Sequence, residues 1–244
     1  MFVDILMLNA DNEIAHMRKN INLAQLIGKK QFRIIPSVYP PINFFENLVE
    51  PAEMEILWEI ESLTNERLRQ EAGDIFLVTP EDRISGPGSS IVMAAFTHTG
   101  RSSRFTDGNY GIYYASLTLE TAIQETVFHR ERFLRATKEE ACELSMRVYK
   151  GKIIKPLHDL KAPEFEIYHH PENYNASQQF GKFLREKKSW GVIYRSVRHL
   201  GGECIAAFRP PAISIPKPGA HLKYLWNSEK ITEVINTQSI IKFT

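Results

Sequence analysis

The chain has 244 residues, 43% of them hydrophobic, with 30 basic against 29 acidic side chains and a net charge of +1. That is enough apolar material to fill the core of one large domain, or of one domain with a substantial extension. The even charge balance gives no reason to expect a nucleic acid or a membrane surface as partner, and two cysteines, Cys142 and Cys204, make neither a disulfide framework nor a C-x-x-C metal pair. A reducing cytoplasm is the simplest setting, with both thiols expected in the core. The opening M-F-V-D-I-L-M-L-N-A is a poor signal peptide, because Asp4 interrupts a short apolar run that no basic segment precedes. No stretch is long enough to span a bilayer.

In chain order, residues 1–30 read as one or two modest helices ending at Gly28-Lys29-Lys30, and residues 32–35 as a short strand stopped by Pro36. Residues 51–70 carry Met54, Leu57, Trp58, Ile60 and Leu68 at the spacing of an amphipathic helix that starts at a proline. Residues 1–74 thus read as a mainly helical N-terminal extension. Residues 75–78 read as a strand, and Ser85-Gly86-Pro87-Gly88-Ser89-Ser90 is the richest turn segment. A glycine-serine loop can cradle phosphate with its freed amides, but this one lacks the G-x-x-x-x-G-K-[ST] spacing and Pro87 removes a donor, so it reads as a connection. Residues 91–96 fit a strand as easily as a helix.

Residues 103–133 are the densest in chemistry. Arg104 stands just before an Asp107-Gly108 pair suited to a tight turn, since glycine accepts positive φ at no steric cost. Residues 111–115 read as a strand with Ile112 and Tyr114 on one face, Tyr113 and Ala115 on the other. A helix should start near Thr118. Ser116 and Thr118 are both suitable N-caps, and Glu120 complements the helix dipole. Leu119, Ala122, Ile123, Thr126 and Val127 make its packed stripe, which puts Glu125 and His129, four apart, off that stripe together. By pattern alone those two are solvated charges. An arginine beside a loop, a paired-tyrosine strand and a helical glutamate form a set that can hold an anionic ligand.

Past Phe133, residues 144–150 and 152–155 read as neighbouring short strands. His158 and Asp159 are adjacent on a strand and so point to opposite faces, which favours structural roles over an acid-base pair. His169-His170 finds no third ligand at a useful spacing, and no metal is expected. Residues 175–187 read as a helix with a basic last turn, residues 190–194 as a strand, and residues 203–208 as the strand returning after His199-Leu200-Gly201-Gly202. Ser196 lacks the G-x-S-x-G signature of a hydrolytic serine. A hydroxyl that binds substrate and a plain strand-end serine both remain open. Residues 210–219 are turn-rich, and residues 224–226 with 231–241 make a final strand or two.

Arg104-Phe105, a strand ending Tyr114-Ala115-Ser116, an E-T-A-x-x-E whose second acid is Glu125, and the later Y-R-S-V-R-H-L-G-G-E-C-I-A-A-F block together resemble the RES domain family, over residues 75–224. The family takes its name from an arginine, a glutamate and a serine, matched here by Arg104, Glu125 and Ser196. The resemblance implies an α+β fold, with residues 75–244 forming a mixed core similar to that of ADP-ribosyltransferases. It implies a toxin of a bacterial toxin-antitoxin system that degrades NAD by cleaving the nicotinamide-ribose bond, as a glycohydrolase or phosphorylase. The alternatives are a protein ADP-ribosyltransferase toxin and a catalytically silent binding module. Arg104 would anchor the pyrophosphate with Phe105 beside it, Glu125 would oppose the positive charge growing on the ribose, Tyr114 would stack on the nicotinamide, and Ser196 would bond the ribose or the amide. NAD would be substrate rather than cofactor. The partner would be an Xre-type antitoxin covering the active site, and the reading leaves room for a homo-oligomer. The chain departs from shorter members in having a longer segment before the match and Ser103-Arg104-Phe105 where they tend to have Gly-Arg-Trp.

Overall fold

A computed structural model describes residues 21–37 and 73–237 of the chain. The helix expected over residues 51–70, like most of the N-terminal extension, lies outside the described residues. Those described form a mixed α+β fold around one sheet. Its strands are β1 (Leu23–Ala24), β2 (Lys30–Pro36), β3 (Tyr113–Ser116), β4 (Cys142–Lys152), β5 (Leu157–Asp159), β6 (Gly191–Arg195), β7 (Glu203–Ala207), β8 (Lys217–Trp226) and β9 (Ile231–Thr237), in the order β1-β5-β6-β7-β3-β2-β4-β8-β9. All neighbours are antiparallel except β5 and β6.

Period-two alternation decides which side chain goes to which layer. On β3, Tyr113 and Ala115 pack with Met93 and Phe96 of helix α1 (Ser90–Thr97), together with Ile193, Ile205 and Ala207 from β6 and β7. Ile112 and Tyr114 turn to the opposite face, where Val192, Tyr194, Cys204 and Ala206 meet Phe180 and Leu184 of helix α3 (Asn175–Glu186). The other half of the sheet, Ile34, Met146, Val148, Leu222 and Tyr224, is covered by Ala122 of helix α2 (Leu119–Thr137).

The sheet is split at its middle, and the split positions the site. β2 pairs with β4 at seven positions, Lys30↔Lys152 through Pro36↔Met146, but with β3 only at Phe32↔Ser116. Past that pair the two strands part. The freed carbonyl of Tyr114 is taken instead by the Arg33 guanidinium at 2.9 Å, so a charged side chain occupies the gap where a ladder would have run.

Several expectations need correction. Residues 21–30 hold a two-residue strand and a turn at Gly28 (φ +86°) rather than a helix end, because Leu23 and Ala24 find partners in His158 and Leu157. Ile75–Leu77 is a 3-10 turn, not a strand: the Asp74 carboxylate accepts from Phe76 N at 2.9 Å, and Val78 N closes back on Ile75 O at 3.0 Å. The two strands expected across Gly151 are one, β4. There the glycine allows close approach, since a Cβ would lie 2.4 Å from Gln31 Nε2. Lys217-Pro218-Gly219 opens β8, the proline being accommodated at the irregularity opposite Arg147 and Tyr149. Cys204 is buried as expected, but Cys142 begins β4 in solvent. Residues 91–96 are helical, and Gly88 packs against Ile215 and Pro216, as suits a connection.

Candidate active site

The turn that carries Arg104 is built from its own polar side chains. Ser103 and Thr106 exchange backbone bonds (3.4 Å and 2.8 Å), Thr106 Oγ1 donates to Tyr110 O at 2.8 Å and accepts from Gly108 N at 3.0 Å, and Tyr110 OH donates to Phe105 O at 2.7 Å. Gly108, at φ +106°, supplies the backbone conformation expected of the Asp-Gly pair. From β3, Tyr114 OH bonds Ser103 Oγ at 2.8 Å and accepts from Phe105 N at 3.0 Å, which clamps the turn on both sides of Arg104. Gln178 of α3 adds a bond from Nε2 to Ser103 O at 2.9 Å.

So held, Arg104 is buried, 8% exposed. Its Nη1 donates to the carbonyls of Tyr168 and His170, both at 3.0 Å, and its guanidinium lies 4.8 Å from the centre of the Tyr174 ring. Among the described residues its hydrogen bonds run through Nη1 alone, and no carboxylate lies within ion-pair distance. Two carbonyls orient a guanidinium without neutralising it. Phe105 points the other way: it is fully buried, edge-on to Tyr194 and Phe208 at 5.1 and 6.3 Å, and packs the turn down rather than reaching a ligand.

Across from this turn stands α2. Thr118 is its N-cap, accepting from Thr121 N at 3.1 Å with Glu120 in the first turn, while Ser116, the other candidate, is buried at the end of β3. Glu125 is not solvated: its side chain is 20% exposed and turns into the cleft. One carboxylate oxygen, Oε1, accepts from Ser196 Oγ at 2.5 Å and from the Cys204 thiol at 3.6 Å; the other, Oε2, is 4.0 Å from His129 Nε2.

The Ser196 side chain is turned to partners within the protein. Its hydroxyl hydrogen goes to Glu125, and its oxygen accepts from Arg198 N at 3.1 Å and His199 N at 3.0 Å. It does not line the cleft. It caps the β6–β7 turn and bonds Glu125 Oε1. The turn itself is pinned to the start of α2: His199 Nδ1 bonds Thr121 Oγ1 at 2.9 Å, and a Cβ on Gly202 would lie 2.7 Å from the Thr121 side chain.

The space between these parts is a cleft of about 590 Å³. Among the described residues Glu125 is the one carboxylate lining it, against five guanidiniums, Arg33, Arg104, Arg130, Arg132 and Arg198. Burial, then the Glu125 charge, pushes the Cys204 thiol up to about 12, and burial pushes the Tyr114 phenol up to about 12, so both stay neutral. His129 is pulled below its ordinary value by burial, with Glu125 opposing and Arg198, Arg130 and Arg132 adding to the effect. The cleft is thus a cationic groove with a single fixed negative charge. The set suits a ligand that is anionic along most of its length and becomes positive at one point.

Arg104, Tyr114 and Glu125, named from the sequence, all line this cleft, and the other four arginines that line it were not named as site residues. Arg198 was already in view in the Y-R-S-V-R-H block. Arg130 and Arg132 follow Glu125 on the same helix, and Arg33 sits on a strand among apolar residues. His169 is structural, its Nδ1 on Phe165 O at 3.0 Å and its Nε2 accepting from Arg195 N at 3.1 Å. His158 lies on β5 with its basicity lowered by burial.

Comparison with known proteins adds three findings. Residues 80–227 match the family model described as the RES domain. The uncharacterized protein y4oC of Sinorhizobium fredii (strain NBRC 101917 / NGR234) is 28% identical over 202 residues, 82% of this chain and 84% of that protein. The crystal structure of the M. tuberculosis MbcT-MbcA toxin-antitoxin complex aligns at 10% identity and a TM-score of 0.43, covering 89% of this chain and 91% of that one, a superposition too loose to carry an argument.

Proposed function

Because the chain belongs to the RES domain family, we propose that it is the toxin half of a toxin-antitoxin pair and that it degrades NAD by cleaving the bond between nicotinamide and ribose. The observation that carries this reading is the Glu125 carboxylate, held by Ser196 at 2.5 Å and set, among the described residues, as the one carboxylate against five guanidiniums in the cleft. Nicotinamide leaves as a neutral base from a cationic ring nitrogen, so no general acid is needed. What the site must stabilise is the oxocarbenium character that grows on the ribose. Glu125 meets that charge. With Oε1 committed to Ser196, Oε2 is the oxygen that orients the attacking water; water adds to the anomeric carbon as the C–N bond breaks, giving nicotinamide and ADP-ribose, and its proton passes to solvent.

Arg104 anchors the pyrophosphate through the guanidinium edge its Nη1 contacts leave open, since planar paired donors match phosphate oxygens better than an ammonium does. Tyr114, whose hydroxyl is tied to the Arg104 turn, offers its ring to the nicotinamide. A free enzyme of this kind drains a cofactor its own host needs. The reading therefore includes an antitoxin in the same cytoplasm, of Xre type by family, that fills the cleft with an acidic terminal segment paired to Arg104.

The deciding experiment uses NAD labelled in its adenylate half. Label recovered as small soluble ADP-ribose, or as its phosphate ester when phosphate is the nucleophile, supports cleavage. Label retained on a protein band makes the enzyme an ADP-ribosyltransferase instead. Unchanged NAD with folded protein leaves only a silent binding module.

A further inference from the structure

The cleft carries more positive charge than a pyrophosphate requires. Arg198 is offset by Glu172 at 3.2 Å. Arg33, at the gap in the sheet, and Arg104, in its turn, line the same cleft and are assigned to the diphosphate. Arg130 and Arg132 remain, and among the described residues neither has an ion-pair partner. The acid between them is engaged elsewhere: Glu131 pairs with Arg135 at 2.8 Å and accepts from Ile231 N at 2.8 Å. Arg130 is crowded further by the like charge of Arg101, which adds to burial in weakening its hold on its own proton. Cations that line one cleft with no counter-charge are relieved by a bound anion.

Their position along the cleft says which part of a ligand they meet. α2 lines it from Ala122 to Ala136, about 21 Å at ~1.5 Å per residue, long enough for an extended dinucleotide. The deep end is marked by the buried Ser116, Cys204 and Tyr194 around Glu125. β2 leaves β3 at Phe32↔Ser116 and runs on to Pro36, which lines the cleft together with Phe133 and Ala136 far along α2. Phe133 is 47% exposed and Arg132 is exposed, so this is the mouth. With nicotinamide and its ribose at Glu125, the adenosine half lies at the mouth, where Phe133 offers an aromatic face and Arg130 and Arg132 offer charge.

Resting on the proposed function, we infer that Arg130 and Arg132 form a subsite for a further phosphate, and that the preferred substrate is a nicotinamide dinucleotide phosphorylated on its adenosine ribose. The test is calorimetric titration of the intact protein with ADP-ribose and with 2′-phospho-ADP-ribose, neither of which contains the scissile bond. The phosphorylated ligand binds about tenfold tighter at low salt, the worth of one hydrogen bond between charged groups. The Arg130→Ala/Arg132→Ala double variant brings the ratio of the two affinities close to one, and the corresponding double lysine variant keeps most of it. Equal affinities in the parent protein, or a ratio that survives in the alanine variant, overturn the inference and leave the proposed function standing. A folded protein that binds neither compound overturns the inference, and release of nicotinamide from NAD then decides the proposed function separately.

Discussion

Replacing Ser196 by alanine separates a residue that positions the glutamate from one that touches substrate. The hydroxyl donates 2.5 Å to Glu125 Oε1 and accepts from Arg198 N and His199 N at 3.1 and 3.0 Å, and none of it faces the cleft. A hydrogen bond to a charged acceptor contributes about 1.5–3 kcal/mol. If that bond holds Glu125 where positive charge develops, its loss appears in the transition state and not in ground-state binding. The expected result is a fall in kcat of roughly 10- to 150-fold with KM for NAD within about twofold. Stability should drop by only about 1 kcal/mol, because the two amides at this half-buried turn can turn to water. Initial rates of nicotinamide release across a range of NAD concentrations, with a thermal melt of each protein, give all three numbers. A rise in KM by that factor with kcat preserved would refute the positioning role and restore Ser196 as a substrate ligand.

Other perturbations probe the supports. Gly202→Ala puts a Cβ 2.7 Å from Thr121 and 2.9 Å from His199 Nδ1, so the β6–β7 turn must lift from α2; a stability loss of about 1–3 kcal/mol in urea unfolding and a fall in kcat are expected, and unchanged values of both would contradict the pinning. Tyr114→Phe removes the clamp on Ser103 and Phe105 N, and KM for NAD should rise more than kcat falls as the Arg104 turn loosens; a variant with parental kinetics would show that the clamp is idle. Burial holds His169 below the usual histidine value, so the folded state resists a proton that the unfolded chain accepts. Stability from this group is complete above about pH 6.5 and declines as pH falls below it. Urea midpoints between pH 7.5 and 5 should shift down in the parent protein and shift less in His169→Gln.

The readable part of the fold was the part governed by local rules. Alternation on residues 111–115 sent Tyr113 and Ala115 to one core and Ile112 and Tyr114 to the other, and Thr118, Glu120 and the apolar stripe marked α2. Long-range pairing was not legible. Nothing in residues 21–30 announces that Leu23 and Ala24 pair with Leu157 and His158, and nothing local reveals that β2 and β3 part after a single pair. That parting opens the cleft, so the site's depth and its Arg33 floor were hidden although Arg104 and Glu125 were not. The role of Ser196 was hidden for the same reason: a bond across 71 positions to Glu125 has no signature in spacing.

The central claim is that the Glu125 carboxylate, through its charge, drives loss of nicotinamide from NAD. Glu125→Gln keeps the shape of the side chain and an acceptor for Ser196 while removing the charge, and the measurement is the rate of free nicotinamide release by the parent protein and by this variant at saturating NAD. The account predicts measurable release by the parent and a rate lower by about 10²–10³ in the variant, with the same melting behaviour. Equal rates in the two proteins, or no release from a folded parent with water and phosphate both supplied as nucleophiles, would contradict it.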